Sequence, residues 1–169
     1  MRLSVLDQSV SVAGAGEDAA IRDTVDLAQH VEKLGYHRFW VSEHHSLPTI
    51  VGTAPEILMA AIAARTQRIR IGSAGVMLPH YASLKVSEQF RVLEAIAPER
   101  IDLGVGRAPG GDPATSHALN PCAPQAGADA FPTQVQELLA WVSGEGRPPE
   151  GHPLRGVRAH PTGPSAPET

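Results

Sequence analysis

Four short apolar segments, each followed by a loop and a helix-like stretch, recur along this chain at nearly equal intervals. They alternate with polar residues as strands do and begin near residues 3, 37, 69 and 101, which is 32 to 34 residues apart. One strand and one helix in that length make a βα unit, and their strict alternation predicts a parallel sheet. Eight such units would need about 256 residues, the usual size of a (β/α)8 barrel of the TIM type. The 169 residues therefore predict an α/β half-barrel made of the first four units.

The helices between these strands have readable starts and stops. The first is predicted from Glu17, and one apolar stripe runs along it through Ile21, Val25, Ala28 and Val31. Thr53 and Glu56, three residues apart, predict a capping box at the start of the second helix. The third is predicted from about Ser83 and must end before Pro98.

The composition changes in the last third of the chain. Nine of the fifteen prolines lie beyond residue 113, although a further helix is still predicted around residues 135–142. Residues 144–169 hold five glycines, six prolines and only four apolar residues, Leu154, Val157, Ala159 and Ala166. Such a segment can bury little apolar surface. We therefore predict a folded domain over residues 1–143 and a loop or disordered tail over residues 144–169.

Bulk properties exclude several classes of protein. The net charge of −4 gives no basic footprint for nucleic acid. No apolar run approaches the roughly 20 residues of a membrane helix, and the N-terminus has no apolar core of a signal peptide. The single cysteine, Cys122, rules out an internal disulfide framework and fits a reducing compartment. The sequence thus predicts a cytoplasmic protein.

Chemically useful residues follow each predicted strand. In a barrel the active site lies at the carboxyl ends of the strands. Those ends here are residues 7–9, 43–45, 73–75 and 106–107, which supply acids, two histidines, small residues and an arginine. The small residues 72–75 would let a flat ligand approach the backbone closely. These observations favour a binding site at that edge.

The sequence also contains residues that could form two other kinds of site. A metal site would draw on three histidines, His44, His45 and His80, but adjacent residues on a strand end point in opposite directions. A dinucleotide fingerprint would need a third glycine where Pro109 stands. Neither alternative is favoured, and no metal is predicted.

Three segments together resemble the bacterial-luciferase-like flavin monooxygenases over roughly residues 1–145. They are, in order, WVSEHHSLP, IGSAGVMLPHY and KVSEQFRVLEAIAPERIDLGVGRAPGGD. The resemblance implies a (β/α)8 barrel that binds reduced FMN supplied by a separate flavin reductase. It also implies the use of O2 to oxidise an aldehyde or another small organic substrate. Some members of this family use the deazaflavin F420 in place of FMN.

The resemblance assigns roles to particular residues. His44 matches the family's catalytic histidine, and an imidazole suits acid–base chemistry near neutral pH. Glu43 matches an acid of the cofactor pocket. The Ala74–Gly75 pair matches a non-prolyl cis peptide beneath the isoalloxazine ring, and Gly106 and Arg107 match positions beside the flavin.

The family pattern also implies a second half that carries strands five to eight and grips the FMN phosphate. We therefore expect a truncated gene or one half of a split protein. Two alternatives remain open: a non-catalytic half-barrel that acts as an interaction protein, and an F420-dependent oxidoreductase.

A half-barrel leaves two strand edges unpaired. Its inner face is expected to run from Leu3 or Val5 through Ile71 and Val105 and to lack an opposing apolar wall. The chain should therefore form a homo-oligomer, join a separate C-terminal half, or aggregate.

Overall fold

The computed structural model describes residues 1–108, 112–121 and 123–169, except for the side chains of residues 123–129. The expectations that concern Pro109 and Cys122 lie outside these residues. Four parallel strands form one sheet in the order β1-β2-β3-β4. They are β1 (Ser4–Asp7), β2 (Arg38–Val41), β3 (Arg70–Met77) and β4 (Ile101–Gly106). The parallel α/β arrangement predicted from the sequence is confirmed.

Helices connect the strands and follow the last one. They are α1 (Glu17–Lys33), α2 (Pro55–Arg65), α3 (Ser83–Ile96), α4 (Pro113–Leu119) and α5 (Ala123–Val142), with a 3-10 turn at Leu78–His80. The capping box predicted for α2 is wrong. Ala54 is the N-cap of that helix and no side chain caps it, while Glu56 accepts a hydrogen bond from Gln89 Nε2 at 3.2 Å. No helix of the described residues is apolar over a length that could cross a bilayer.

The helices cover one face of the sheet. Register pairs Val5 with Phe39, Phe39 with Ile71 and Ile71 with Ile101, and all of these residues belong to or pack against the apolar core. Val105 also packs there. The prediction that Val5, Ile71 and Val105 form an uncovered inner face is therefore wrong. Alternation along a strand separates its two faces, and these residues lie on the face that the helices cover.

The opposite face of the sheet is largely polar and charged. Asp102 Oδ2 accepts hydrogen bonds from Arg38 Nε and Trp40 Nε1, both at 2.8 Å, and Oδ1 accepts from Arg70 Nε at 2.9 Å. A Cβ atom at Gly72 would lie 2.6 Å from Trp40 Nε1, so the absence of a side chain there makes room for the indole. Gly72 thus serves internal packing, and an ion network lies where apolar side chains were expected.

The tail over residues 144–169 contains no helix or named strand, but hydrogen bonds hold it to the rest of the protein. Glu168 forms a parallel bridge with β4: its N–H donates to Ile101 O at 2.9 Å, and its carbonyl accepts from Leu103 N at 2.7 Å. The buried Arg91 of α3 donates to four carbonyl oxygens, those of Trp141, Ser143, Gly144 and Pro161. The boundary after residue 143 stays a prediction.

The ion network predicts the effect of a single substitution. The Asp102 side chain is 8% exposed, and removing one partner of a buried ion pair costs about 3–5 kcal/mol. We expect Asp102→Asn to lower the free energy of unfolding by about 3 kcal/mol in urea denaturation. The matched control is Glu168→Gln, because the Glu168 side chain is 59% exposed and pairs with the same arginines. It should cost less than about 1 kcal/mol, and equal losses from both variants would contradict the central role of Asp102.

Candidate functional site

The carboxyl ends of the parallel strands lie along one edge of the sheet. We define the candidate rim as three segments near that edge: 42–45, which follow β2; 74–75, which lie within β3 because that strand continues to Met77; and 106–107, where β4 ends. Val41 pairs with Ser73, and Met77 pairs with Gly106, so the three segments are neighbours. The loops after β1 and β2 are joined by backbone hydrogen bonds, among them Val51 N to Ser9 O at 3.0 Å. The loop that carries the histidines is therefore fixed from the β1 side.

Asp7, at the end of β1, supports that loop rather than the rim. Its Oδ2 accepts hydrogen bonds from Thr24 Oγ1 at 2.6 Å and from Ser9 N at 3.1 Å. Since Ser9 in turn bonds the loop after β2, the Asp7 carboxylate acts as a local brace.

His44 is half-buried and is held through one ring nitrogen. Its backbone N–H donates to Gly52 O at 3.0 Å, and its Nδ1 lies 3.2 Å from the Ser42 hydroxyl. Ser42 itself is 2% exposed, so its hydroxyl is a fixed partner. Within the described residues nothing bonds Nε2 of His44, which leaves that nitrogen able to exchange a proton with a ligand.

Glu43 is turned into the protein. Its side chain has no exposed surface; Oε1 accepts hydrogen bonds from the Tyr81 hydroxyl and from His45 Nε2 at 2.8 Å, and Oε2 accepts from Met77 N at 2.8 Å. These contacts join the ends of β2 and β3. Direct contact between Glu43 and a cofactor stays a prediction.

The three histidines considered as metal ligands have separate surroundings. His44 meets Ser42, His45 meets Glu43, and the buried His80 ring lies edge-on to Tyr81 with centroids 6.4 Å apart. Across the part of the chain that the structure describes, no three His, Cys, Asp or Glu residues are grouped so that they could hold a metal ion.

The peptide bond between Ala74 and Gly75 is cis, as the resemblance implies. It lies in a bulge, because register passes from Ser73 opposite Leu103 to Val76 opposite Val105. A Cβ atom at Gly75 would lie 2.8 Å from Gly104 O, so this glycine allows β3 and β4 to approach each other. The small residues here therefore serve backbone packing, and their contact with a flat ligand stays a prediction.

Gly106 and Arg107 end β4 at the same edge. Among the described residues, a Cβ atom at Gly106 would make only ordinary van der Waals contacts, 3.9 Å from Gly75 O and from Val76 O. Arg107 is exposed, and no hydrogen bond or ion pair engages it among the residues described. The rim thus presents a guanidinium, a half-buried imidazole and the half-buried backbone of residues 74–75.

Two residues of the site escaped the sequence analysis. Tyr81 and Ser42 both stand inside the motifs that carry the resemblance, but the sequence assigns no role to either of them. Tyr81 lies 38 positions from its partner Glu43, and no spacing rule connects them. Ser42 stands two positions before His44, which is the one local signal for that contact.

A family model described as luciferase-like monooxygenase matches residues 1–151. The chain belongs to the luciferase-like monooxygenase family. The N-acetyl-S-alkylcysteine monooxygenase of Bacillus subtilis (strain 168) is 57% identical over 121 residues, which are 70% of this chain and 36% of that protein. A luciferase-like monooxygenase of Escherichia coli (strain K12) is 40% identical over 153 residues, 90% of this chain and 45% of that protein. The resemblance seen in the three motifs is confirmed.

Solved structures agree with this membership. The crystal structure of apo-MsnO8 matches with a TM-score of 0.85 at 38% identity and covers 98% of this chain and 47% of that one. Two more distant structures share the fold. The oxygenating constituent of 3,6-diketocamphane monooxygenase from Pseudomonas putida, in complex with FMN, has a TM-score of 0.64 and 24% identity over 71% of this chain and 32% of that one. An F420-dependent secondary alcohol dehydrogenase matches with a TM-score of 0.61 at 16% identity and covers 99% of this chain and 49% of that one. The chain spans half or less of the length of each protein named here.

The Tyr81–Glu43 contact predicts a pH dependence of stability. Burial, and then the hydrogen bond to Glu43, raise the pKa of the Tyr81 hydroxyl above its usual value of about 10. The folded state then keeps a proton that the unfolded state loses, so the free energy of unfolding falls as the pH rises above about 10. Urea denaturation between about pH 8 and pH 11 should show this decline, and Tyr81→Phe should make it shallower. The same decline in both proteins would contradict the assignment.

Proposed function

We propose that this chain supplies the cofactor-ring half of a flavin-dependent monooxygenase. The enzyme uses reduced FMN and O2 to oxidise an aldehyde or another small organic substrate. The observation that carries the proposal is the placement, at one edge of the sheet, of His44, whose Nε2 has no hydrogen-bond partner among the described residues, and of the half-buried backbone of Ala74 and Gly75. Family membership and the FMN-bound structure with the same fold support it.

The residues of the rim fit a flat, partly anionic ring. The backbone of Ala74 and Gly75 is half-buried and offers a surface with little side chain. Arg107 carries a positive charge that no ion pair among the described residues neutralises, and Gly106 beside it has no side chain. Bound reduced FMN would supply the electrons that O2 activation requires.

The role of His44 follows from how its ring is held. Ser42 orients the imidazole through Nδ1, so that Nε2 can take up or give back a proton at the reacting group. Arg107 can stabilise negative charge that develops on the ring. Glu43 acts from behind the rim by holding Met77 and His45.

The complete reaction needs partners. A flavin reductase would deliver the reduced cofactor, and the remaining half of the barrel would bind the FMN phosphate. That half could come from a separate C-terminal chain or from a second copy of this one. Strand β1 pairs on one side only within the described residues, so an edge is open for such a partner.

Two other functions differ from the proposed one in the cofactor that the protein would bind. An F420-dependent oxidoreductase is favoured by one observation, the shared fold with an F420-dependent dehydrogenase. A non-catalytic half-barrel that serves as an interaction protein would bind neither cofactor at the rim.

The proposal is tested by the fate of reduced FMN. Mixed with O2 in a stopped-flow instrument, reduced FMN should oxidise at a changed rate in the presence of the chain completed by its second half. The 169-residue chain alone should bind FMN weakly, because we assign the phosphate contacts to the second half of the barrel. Gly106→Ala should weaken binding, because the added methyl group would stand beside the cofactor ring, and it should keep stability, because against the described residues that group makes only ordinary contacts at 3.9 Å. An oxidation rate equal to that of free FMN would refute the proposal, and binding of F420 alone would favour the alternative.

His44 and His45 give a matched pair of variants. In the completed enzyme His44→Ala should lower turnover by about 10²-fold or more, the usual scale for general acid–base catalysis. His45→Ala should cost less, because its Nε2 is committed to the buried Glu43. Steady-state assays with reduced FMN would show the difference, and equal losses would mean that the two roles are wrongly divided.

A further inference from the structure

A buried carboxylate lies behind the rim and joins three elements of the fold. Glu43 receives the Tyr81 hydroxyl and His45 Nε2 at one oxygen and Met77 N at the other. An ionised carboxylate is an acceptor only, whereas a protonated one would give up an accepting position. Three donors around two oxygens therefore suit the anion.

This contact fixes the ring of His45. A hydrogen bond to the carboxylate requires a proton on Nε2, so the neutral ring keeps its lone pair on Nδ1. His44 is instead engaged at Nδ1, by Ser42. The two neighbouring imidazoles are thus held through opposite nitrogens and by independent partners.

Tyr81 holds the carboxylate from the far side and is itself well anchored. It follows the 3-10 turn, and its backbone N–H donates to Leu78 O at 3.0 Å. Its carbonyl accepts a hydrogen bond from Gln134 Nε2 of α5 at 3.2 Å. The position of the hydroxyl is therefore set by the turn and by α5, not by the rim.

We propose that Tyr81 is a positioning residue of the flavin site, which through Glu43 holds the end of β3 and the His45 ring and so sets the affinity for the cofactor ring. The inference rests on the proposed function. Met77 follows Gly75 by two residues on the same strand, so the group that holds Met77 N also holds the backbone segment of the proposed ring contact, Ala74–Gly75, in place. His44 depends on Ser42 instead, so proton transfer at His44 does not pass through Tyr81.

A split between affinity and turnover tests this role in the completed barrel. Tyr81→Phe should raise the Kd for FMN about tenfold and leave kcat at saturating cofactor within about twofold. Ser42→Ala should do the reverse and lower kcat with little change in Kd. Tyr36→Phe is the matched control, because Tyr36 lies before β2 at the opposite end of the sheet. It should change neither quantity. A loss of kcat at unchanged Kd, or no change in either, for Tyr81→Phe would overturn the proposal.

A second measurement needs no cofactor. Nitrogen NMR of the His45 ring in the 169-residue chain should show the proton on Nε2, and a proton on Nδ1 alone would overturn the contact on which the proposal stands. If FMN binds but Tyr81→Phe leaves its Kd unchanged, the proposed function survives and the positioning role fails. If the completed protein binds no FMN, both fail, even where His45 shows the expected proton.

Discussion

The register of the four parallel strands is the constraint from which the rest of this structure follows. It places Val5, Phe39, Ile71 and Ile101 side by side against the helices. On the other face the same register brings together the residues around Asp102, whose carboxylate accepts hydrogen bonds from two arginines and from Trp40. A shift of one residue would exchange the two faces. The apolar core and the ion network are thus two results of one alignment, which also brings the rim segments together.

The carboxylate of Glu43 adds a second constraint to the strand register, because it fixes the positions of His45 and of Met77 N. Strand pairing alone leaves the residues after a strand free to turn, and here the buried acid ties those after β2 to the end of β3. The two histidines beside it then have different duties. His45 is hydrogen-bonded to the buried Glu43 through Nε2. His44 is held through Nδ1, and its Nε2 has no hydrogen-bond partner among the described residues.

Much of this could be read from the sequence. Period-two segments at regular intervals gave the strands and the parallel sheet, and three motifs gave the family. Alternation shows that Val5 and Leu6 lie on opposite faces, but it does not say which face the helices cover, so the face was assigned wrongly. The tail is held in part by hydrogen bonds from Arg91 to the carbonyl oxygens of Gly144 and Pro161, more than 50 positions away, and composition carries no trace of such contacts. The Tyr81–Glu43 bond was missed for the same reason: it depends on the folded path of the chain, not on local pattern.

The bridge between Glu168 and Asp102 also has a geometric consequence. At this bridge the backbone around Glu168 runs parallel to β4 along the outer edge of the sheet. Salt bridges from Glu168 to Arg38 and Arg70 attach this backbone to the charged face of the sheet. A strand rises about 3.3 Å per residue, so a peptide that continued this path would draw level with Gly106 after about four residues. The side chains beyond that point would stand next to Arg107. The ion network around Asp102 therefore determines which side chains of an added neighbouring strand would lie beside the rim.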